Sequence, residues 1–574
     1  MNNTPNFNMK IKAILDATKH GERVCEMTGE RWEVTEIDIE RWRRFNVPPM
    51  KVSPKTYFKL MGQLLTGYSW WWNTDVESGK PILSHIHPHT PWLVMDDEAW
   101  HQKDFSEIAS NADMSRPIFD QLYDLAMRVP MSARKNIERP INSIARISLG
   151  DENSYFVEGC RSKRSFYCSD SIDLEDCAEV CWSMRVRESY NVMMSFDLHR
   201  CRVARNSRNS FNCDFIFDCW NCESCFMTFN CRRAKYLWDG EQLSEGEWKK
   251  RHAGLDLGDR DTFKRFYTDF LHRLGTEAIW PENFNLKAEN SSGEYLNNCV
   301  NCQNCWYSEG AKDCSWSVWA NLGTEDCVLG CHPGSAHCYG DMIAIHSNDC
   351  RFCWVVQQCQ RCEYCIECFD CEDCFGCVGL KRKRFHLFNK AYSESDYRKN
   401  LNEIKCAMLD RGEYGMPLYG RFAQGPFAYS GGSFFLDDKP QEREQLGIVD
   451  FETGLDGAFG NWEGKHLLSP SEIPSRLEDA DRVKGKAFLD PKLNRPFTLF
   501  PAEIDLYKKL GVRVPRWHFT SRVEDIWREM NLFDFELRMC AKCAVPITVA
   551  KNKTFPKRKI YCRSCYLAYL QSRS

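Results

Sequence analysis

Apolar and polar positions along this 574-residue chain follow two unrelated periods. The first is helical. Between Met114 and Pro130 the apolar residues Ile118, Phe119, Leu122, Leu125 and Ala126 fall on one face, with Ser115 placed to cap and Pro117 in the first turn, which predicts an amphipathic helix. Residues 259–274 predict a second: Phe263, Phe266, Tyr267, Phe270, Leu271 and Leu274 make one stripe, and Gly275 is the expected stop.

The second period is three. From Cys359 a cysteine recurs at Cys362, Cys365, Cys368, Cys371, Cys374 and Cys377. Stepping back by 12 from Cys374 gives Cys362, Cys350 and Cys338, then, after a slip of one near Cys327, Cys314 and Cys302. A second column reads Cys371, Cys359, Ser347, Ser335, Gly323, Ala311 and Cys299. The same grid occurs earlier, in the columns Cys177–Ser189–Cys201–Cys213–Cys225, Ser183–Ser195–Ser207–Cys219–Cys231 and Leu174–Val186–Leu198–Ser210–Cys222.

One residue class per column at a fixed interval predicts a solenoid. Twelve residues with every third pointing inward predict a coil with four short faces, whose narrow bore accepts Cys, Ser, Ala, Gly or Val. Such coils pair backbone to backbone at the strand spacing. Residues between the columns, among them Trp306, Trp316, Trp319, Trp354, Phe369 and Phe375, are expected to point outward. The core prediction therefore names Cys201, Cys213, Cys225, Cys350, Cys362 and Cys374.

The two arrays are copies. An offset of 149 carries Cys201, Cys213, Cys219, Cys222 and Cys225 onto Cys350, Cys362, Cys368, Cys371 and Cys374, and Tyr236, Ser244 and Trp248 onto Phe385, Ser393 and Tyr397. Each array thus ends in an aromatic strand and a helix opened by Ser-x-x-Glu (Ser244/Glu247) or Ser-x-x-Asp (Ser393/Asp396), similar to a capping box that closes the exposed edge.

Composition changes the reading of the thiols. The 32 cysteines stand in a chain whose first residues carry no apolar signal core, so they are expected to stay reduced, and the protein to be cytoplasmic. Three chemistries fit the columns: disulfides between coils, metal or iron–sulfur ligation, and plain packing of small buried side chains. Packing is preferred, because Ser, Ala and Gly share the columns and leave many coils without ligands. Apolar residues at 43% and charged residues at 27% describe an ordinary globular chain, and no apolar run reaches the length of a membrane span. A formal net charge of −4 excludes a globally basic nucleic-acid binder and leaves only local patches.

One such patch is Arg200, Arg202, Arg205 and Arg208 with His199; another is Lys551, Lys553, Lys557, Arg558 and Lys559. Both are candidate nucleic-acid contacts, set against the commoner outcome of a solvated face balanced by Asp and Glu. His85, His87 and His89 alternate, which on an extended segment puts them on one side, as a metal site or a solvated turn. The strongest chemical signal is C-terminal: Cys540-x-x-Cys543, eighteen residues, then Cys562-x-x-Cys565. Two such pairs present four thiolates to one tetrahedral zinc, a closed structural site in a treble-clef ribbon whose hairpin ends at Lys559–Tyr561 and whose helix includes Tyr566–Leu570. No phosphate-binding loop, dinucleotide glycine pattern or nucleophile elbow is present, so no catalytic residue is named.

Three further motifs carry a resemblance. They are Asp113-Met-Ser-Arg-Pro-Ile-Phe-Asp-Gln-Leu followed by Val129-Pro130, Cys374-Phe-Gly-Cys-Val-Gly-Leu followed by Leu387-Phe-Asn-Lys-Ala-Tyr-Ser, and Pro501-Ala-Glu-Ile-Asp-Leu-Tyr-Lys-Lys followed by Val514-Pro515-Arg516. In these the chain resembles the large zinc-ribbon, cysteine-repeat proteins of candidate-phyla-radiation (Patescibacteria) bacteria, over nearly its whole length. The resemblance implies N-terminal ribbons as well, and here the pattern departs. Cys25-Glu-Met-Thr-Gly-Glu-Arg-Trp keeps one cysteine, residues 75–101 around Ser78-Gly79-Lys80-Pro81 keep none, and Arg516-Trp-His-Phe-Thr-Ser-Arg522 lacks the family's cysteine pair. These N-terminal ribbons are expected to fold without metal around Trp70, Trp71, Trp72, Trp92 and Trp100.

The expected fold is mainly β: two duplicated short parallel β-solenoids with helical caps, flanked by degenerate ribbons and a zinc ribbon. Its segments are ribbons at 1–110, a helical connector at 111–150, solenoids at 151–235 and 291–380, a cap and linker at 236–290, a cap helix at 381–410, a loop-rich linker at 411–496 and the zinc ribbon at 497–574. The expected role is a non-enzymatic scaffold or adaptor that binds a protein or large assembly through its solenoid faces and ribbon. Nucleic-acid binding and a polymer-acting enzyme with a solenoid groove are the alternatives.

Overall fold

The structure is a computed structural model and describes residues 4–437, 439–450 and 466–573. The chain forms two compact units, Met1–Gly67 with Asn73–Ala133 and Asn283–Glu452, and Tyr68–Trp72 with Arg134–Glu282 and Thr453–Ser574. Strand accounts for 29% and helix for 27%, so helices hold nearly as many residues as strands. Among the described residues no helix is long and apolar enough to cross a membrane.

Each unit contains one stack of short parallel strands. In the second unit the register steps by twelve: Ile172 pairs with Met184, Met184 with Phe196 and Phe196 with Arg208 on one side, and Tyr190 with Arg202, Arg202 with Asp214 and Asp214 with Phe226 on another. The first unit repeats the pattern, with Met342 beside Trp354, Trp354 beside Ile366 and Glu372 beside Arg384. Bridges extend the stacks outward to Ile141 and Leu286, earlier than the repeat alone marks their starts.

The backbone shows why the interval is twelve. Every third residue has a left-handed conformation: Asp197, Arg200, Val203, Asn206, Asn209 and Asn212 have φ between 47° and 60°. Four such residues fall within each twelve-residue step of the register. Asn and Asp tolerate this conformation, whereas β-branched residues pay for it sterically. The residue after each left-handed one faces inward. Cys201, Cys213, Cys225, Cys350, Cys362 and Cys374 are all fully buried there.

The inward residues are hydrogen-bonding groups as well as small ones. Ser195 Oγ donates to the Met193 carbonyl at 2.9 Å and accepts the Ser207 N–H at 3.1 Å. Cys350 Sγ makes the thiol version, reaching the Asn348 and Cys359 carbonyls at 3.6 Å each. The carbonyls reached also accept backbone N–H groups, so it is the Ser207 N–H that a Val or Ala at 195 would leave unpaired. None of the 32 cysteines is in a disulfide.

Both stacks end as copies. Leu237 pairs antiparallel with Gln242, and His386 with Ala391. Helices Glu245–Ala253 and Glu394–Asp410 follow, with Ser244 accepting from the Glu247 N–H in a full capping box and Ser393 accepting from the Asp396 N–H. A buried charge cluster ties the second of these helices to its stack: Lys405 Nζ meets Glu363 at 2.8 Å, and the Tyr414 hydroxyl donates to the other Glu363 oxygen at 2.7 Å.

Several expectations change. Trp306, Trp354 and Phe375 do leave the bore, but they are buried, because Phe58 packs on Trp306, Trp92 on Trp354, and Tyr364 and Phe388 on Phe375. Trp316, Trp319 and Phe369 are partly exposed. The first amphipathic helix is shorter, Ile118–Ala126, and Ser115 bonds the Asp113 carboxylate instead of capping it. The second spans Arg260–Thr276 and passes through Gly275, with Asp259 as its cap. The loop-rich stretch holds a hairpin, Ala487–Asp490 with Arg495–Thr498; its residues 451–465 lie outside those described.

Candidate metal centre

The segment between the cysteine pairs does not form the expected hairpin ending at Lys559–Tyr561; its two strands pair with segments outside it, in two separate sheets. Phe535–Met539 and Pro546–Ala550 form an antiparallel hairpin, and Lys559–Tyr561 runs parallel to Ile279–Pro281 of the same unit. The hairpin's turn is a tight knuckle: the Cys540 N–H donates to the Val545 carbonyl at 2.8 Å, and the Ala544 N–H to the Cys540 carbonyl at 2.9 Å, with Ala544 at φ 56°. Cys562 sits at the N-cap of the Arg563–Gln571 helix, whose first turn carries Cys565.

These elements bring the ligand atoms of Cys540, Cys543, Cys562 and Cys565 within 4.8 Å of one another, the spacing of ligands around a single ion. Cys543 Sγ lies 3.7 Å from Cys562 Sγ. Burial pushes the Cys540 thiol up, but the N–H groups of Cys562, Cys543 and Lys542 outweigh it and hold it at about 6. Hydrogen bonding to Cys562 and Cys543 keeps a proton on Cys565, pushed up to about 12. A thiolate held open beside thiols that cannot all ionise together is a donor set suited to a cation.

Two other turns repeat the knuckle. Cys25 N–H reaches the Glu30 carbonyl at 2.8 Å and Gly29 N–H the Cys25 carbonyl at 2.9 Å, with Gly29 at φ 70°. Asp75, Gly79 and Lys80 do the same at 2.9 and 2.8 Å. Here side-chain hydrogen bonds stand where ligands would: the Asp75 carboxylate accepts the Ser78 N–H at 3.0 Å and its hydroxyl, and Cys25 Sγ faces Thr56 Oγ1 at 3.5 Å. Trp70, Trp71, Trp92 and Trp100 are buried, and Trp72 is half-buried.

The ribbon is fastened to the stack of its own unit by contacts the sequence did not predict. The Tyr566 hydroxyl donates to Asp218 and accepts from Asn230 Nδ2 at 3.2 Å. Burial pushes the Asp218 carboxyl up to about 6, against the opposing pull of Arg232. Trp280 packs on Phe217 and Phe555, with Arg558 over its ring. Tyr566 and Asp218 lie far apart in sequence, and no local signal links them.

The other candidate sites do not assemble. His85 is buried with Nδ1 3.0 Å from the Ala133 carbonyl and Nε2 2.9 Å from Gln424; His87 is buried and His89 exposed. Their alternation does not make them converge, and among the described residues the four ribbon cysteines are the one group that could hold a metal ion. Among the described residues no three bore thiols bring their sulfurs within the 4.8 Å spacing of that group.

The arginine cluster is likewise not a free basic surface. Arg205 is buried against Glu529 at 2.7 Å, Arg202 is bound to Asp214 at 2.5 Å, and Arg200 to Glu188 at 2.8 Å. Arg208 lies over the Phe196 ring at 4.3 Å. Arg558 is buried on the Ala550 and Phe555 carbonyls, whereas Lys557 and Lys559 are exposed. The register places Glu188 and Asp214, each twelve positions away, beside Arg200 and Arg202, which a linear reading of the cluster does not show.

Comparison with protein-family models, with curated proteins and with solved structures finds no match.

Proposed function

We propose that this protein is a non-enzymatic cytoplasmic scaffold or adaptor. In this reading its two parallel stacks are duplicated β-solenoids, and its ribbon is locked by one structural zinc. The observation that carries it is the thiol set of Cys540, Cys543, Cys562 and Cys565. Four soft sulfur donors in a compact group favour tetrahedral zinc and leave no open position for water or substrate. The bound ion would fix the knuckle and the start of the last helix, and so hold the ribbon in a single shape. Stacks whose bores are filled by their own side chains offer rigid outer surfaces, as solenoid binders do.

The test has two parts. Metal analysis of the purified chain is expected to return one zinc per chain. Cross-linking of a tagged chain in its native lysate is expected to recover a stoichiometric partner, and a chain that remains alone there overturns the adaptor reading.

A further inference from the structure

The ribbon hairpin has two unlike faces. Ile547 and Val549 are buried on one. On the other, Leu537 is 72% exposed and Met539 57%, with Val545 43% exposed at the turn. Residues two apart on a strand share a face, and the register sets Met539 opposite Pro546 and Leu537 opposite Thr548. These side chains therefore form one outward apolar row on a rigid hairpin.

The surroundings say what could cover it. Residues 535–574 carry five lysines and four arginines against a single glutamate, in a chain whose net charge is −4. Lys542, Lys557, Lys559 and Arg563 are exposed around the hairpin and knuckle. The charge calls for an acidic ligand. The apolar row selects among acidic ligands: it has no aromatic ring on which a base could stack, while Leu, Met, Val and Pro suit aliphatic and aromatic side chains of a peptide.

We propose that this face, Leu537, Met539, Val545 and Pro546, docks an acidic amphipathic segment of a partner protein, with apolar anchors on the row and carboxylates toward the lysines. The proposal rests on the adaptor reading and names the chemistry of its partner. Binding would combine a desolvated apolar centre with a charged rim, the usual division of an interface into hot spot and steering.

The test uses the full zinc-loaded chain and fluorescence anisotropy with a labelled peptide in which Glu and Asp are interleaved with Leu and Phe. Leu537→Ser/Met539→Ser is expected to weaken binding at least ~10-fold while zinc content and circular dichroism stay unchanged. A control peptide with Ser in place of Leu and Phe is expected not to bind. Lys542→Glu/Lys557→Glu is expected to weaken binding most at low salt.

Equal affinity for the Ser variant, or no binding of the peptide, overturns the proposal. So does single-stranded RNA that binds this ribbon in preference to the peptide and ignores Leu537→Ser/Met539→Ser, which would assign the lysines to nucleic acid. A wild-type dimer that the Ser variant abolishes gives the face to a second copy, and equally overturns it. If the Ser variant captures the same lysate partners as wild type, this face falls and the adaptor reading stands; if neither captures any, the adaptor reading falls.

Discussion

The Ser189 hydroxyl accepts the backbone N–H of Cys201, twelve residues on, at 3.0 Å. The same bond joins Ser183 to Ser195 and Ser207 to Cys219. A bore hydroxyl is therefore a bridge between coils, and its loss leaves a buried peptide group unpaired.

This distinguishes substitutions of nearly equal size. Ser195→Ala is expected to cost ~1–3 kcal/mol, because the Ser207 N–H loses its acceptor inside the core, whereas the Met193 carbonyl keeps the Asn206 N–H. Ser195→Cys keeps a sulfur acceptor for the Ser207 N–H, as Cys177 does for the Ser189 N–H, and is expected to cost less. Denaturant midpoints of the two variants, at matched slope, check the order.

Val355 is left-handed at φ 55°, a conformation that suits Asn far better than a β-branched residue. Its side chain is only half-buried, so little packing is lost by replacing it. Val355→Asn is expected to stabilise the first unit by up to ~1 kcal/mol, visible as a raised thermal midpoint.

His332 and Asp341 face each other inside the stack of the first unit, both fully buried, with Nε2 and Oδ2 3.6 Å apart. They sit where the register slips, Ser315 pairing with Val328 and Val328 with Tyr339. Gly330 leaves room for both; a Cβ there would lie 2.0 Å from the Asp341 carbonyl oxygen and 2.8 Å from His332 Cε1. Burial pushes the Asp341 carboxyl up to about 6, with Cys350 adding to it and His332 and the Cys353 N–H opposing. Burial lowers His332, but Cys327, Asp341 and Cys350 outweigh it, so its proton is held more tightly than usual.

Both groups thus bind protons more strongly when folded. Their contribution is complete at low pH and is lost as pH rises, first through about 6 for Asp341 and then through the raised range of His332. Between roughly pH 4 and 7 the wild type is expected to lose up to ~3 kcal/mol relative to Asp341→Asn. Denaturation of the two proteins across that range measures the difference, and a constant gap would contradict it.

Chelation is expected to loosen the ribbon before either stack. The four thiols must lose their protons to bind a metal ion, so the ion is expected to be retained at neutral pH and released on acidification. Cys540→Ser is expected to give a chain with less than one bound zinc and to open residues 540–570 to protease. Tyr566→Phe tests the fastening separately: it removes the bond to Asp218 and is expected to mobilise the last helix without lowering zinc content.

Much of this architecture was legible in one dimension. An interval of twelve, columns of Cys and Ser, the copied helix caps and the paired Cys-x-x-Cys motifs are local or periodic, and backbone pairing between neighbouring coils follows directly from them. What the columns were for was not legible: thiol and hydroxyl read as small side chains, and only the positions of the carbonyls show them as donors.

Three features depended on tertiary structure alone. Trp306 and Trp354 leave the bore as the period requires, yet Phe58 and Trp92, more than 200 residues away in sequence, decide that they are buried. Arg200, Arg202 and Arg205 read as one cluster, but stacking puts Glu188 and Asp214 beside the first two, and packing brings Glu529 to the third. The exposed Leu537 and Met539 read as an ordinary alternating strand until the register shows which face is covered. Short-range geometry repeats along the chain and can be read from it, whereas burial and charge pairing depend on which distant segment arrives, and a single sequence does not record that.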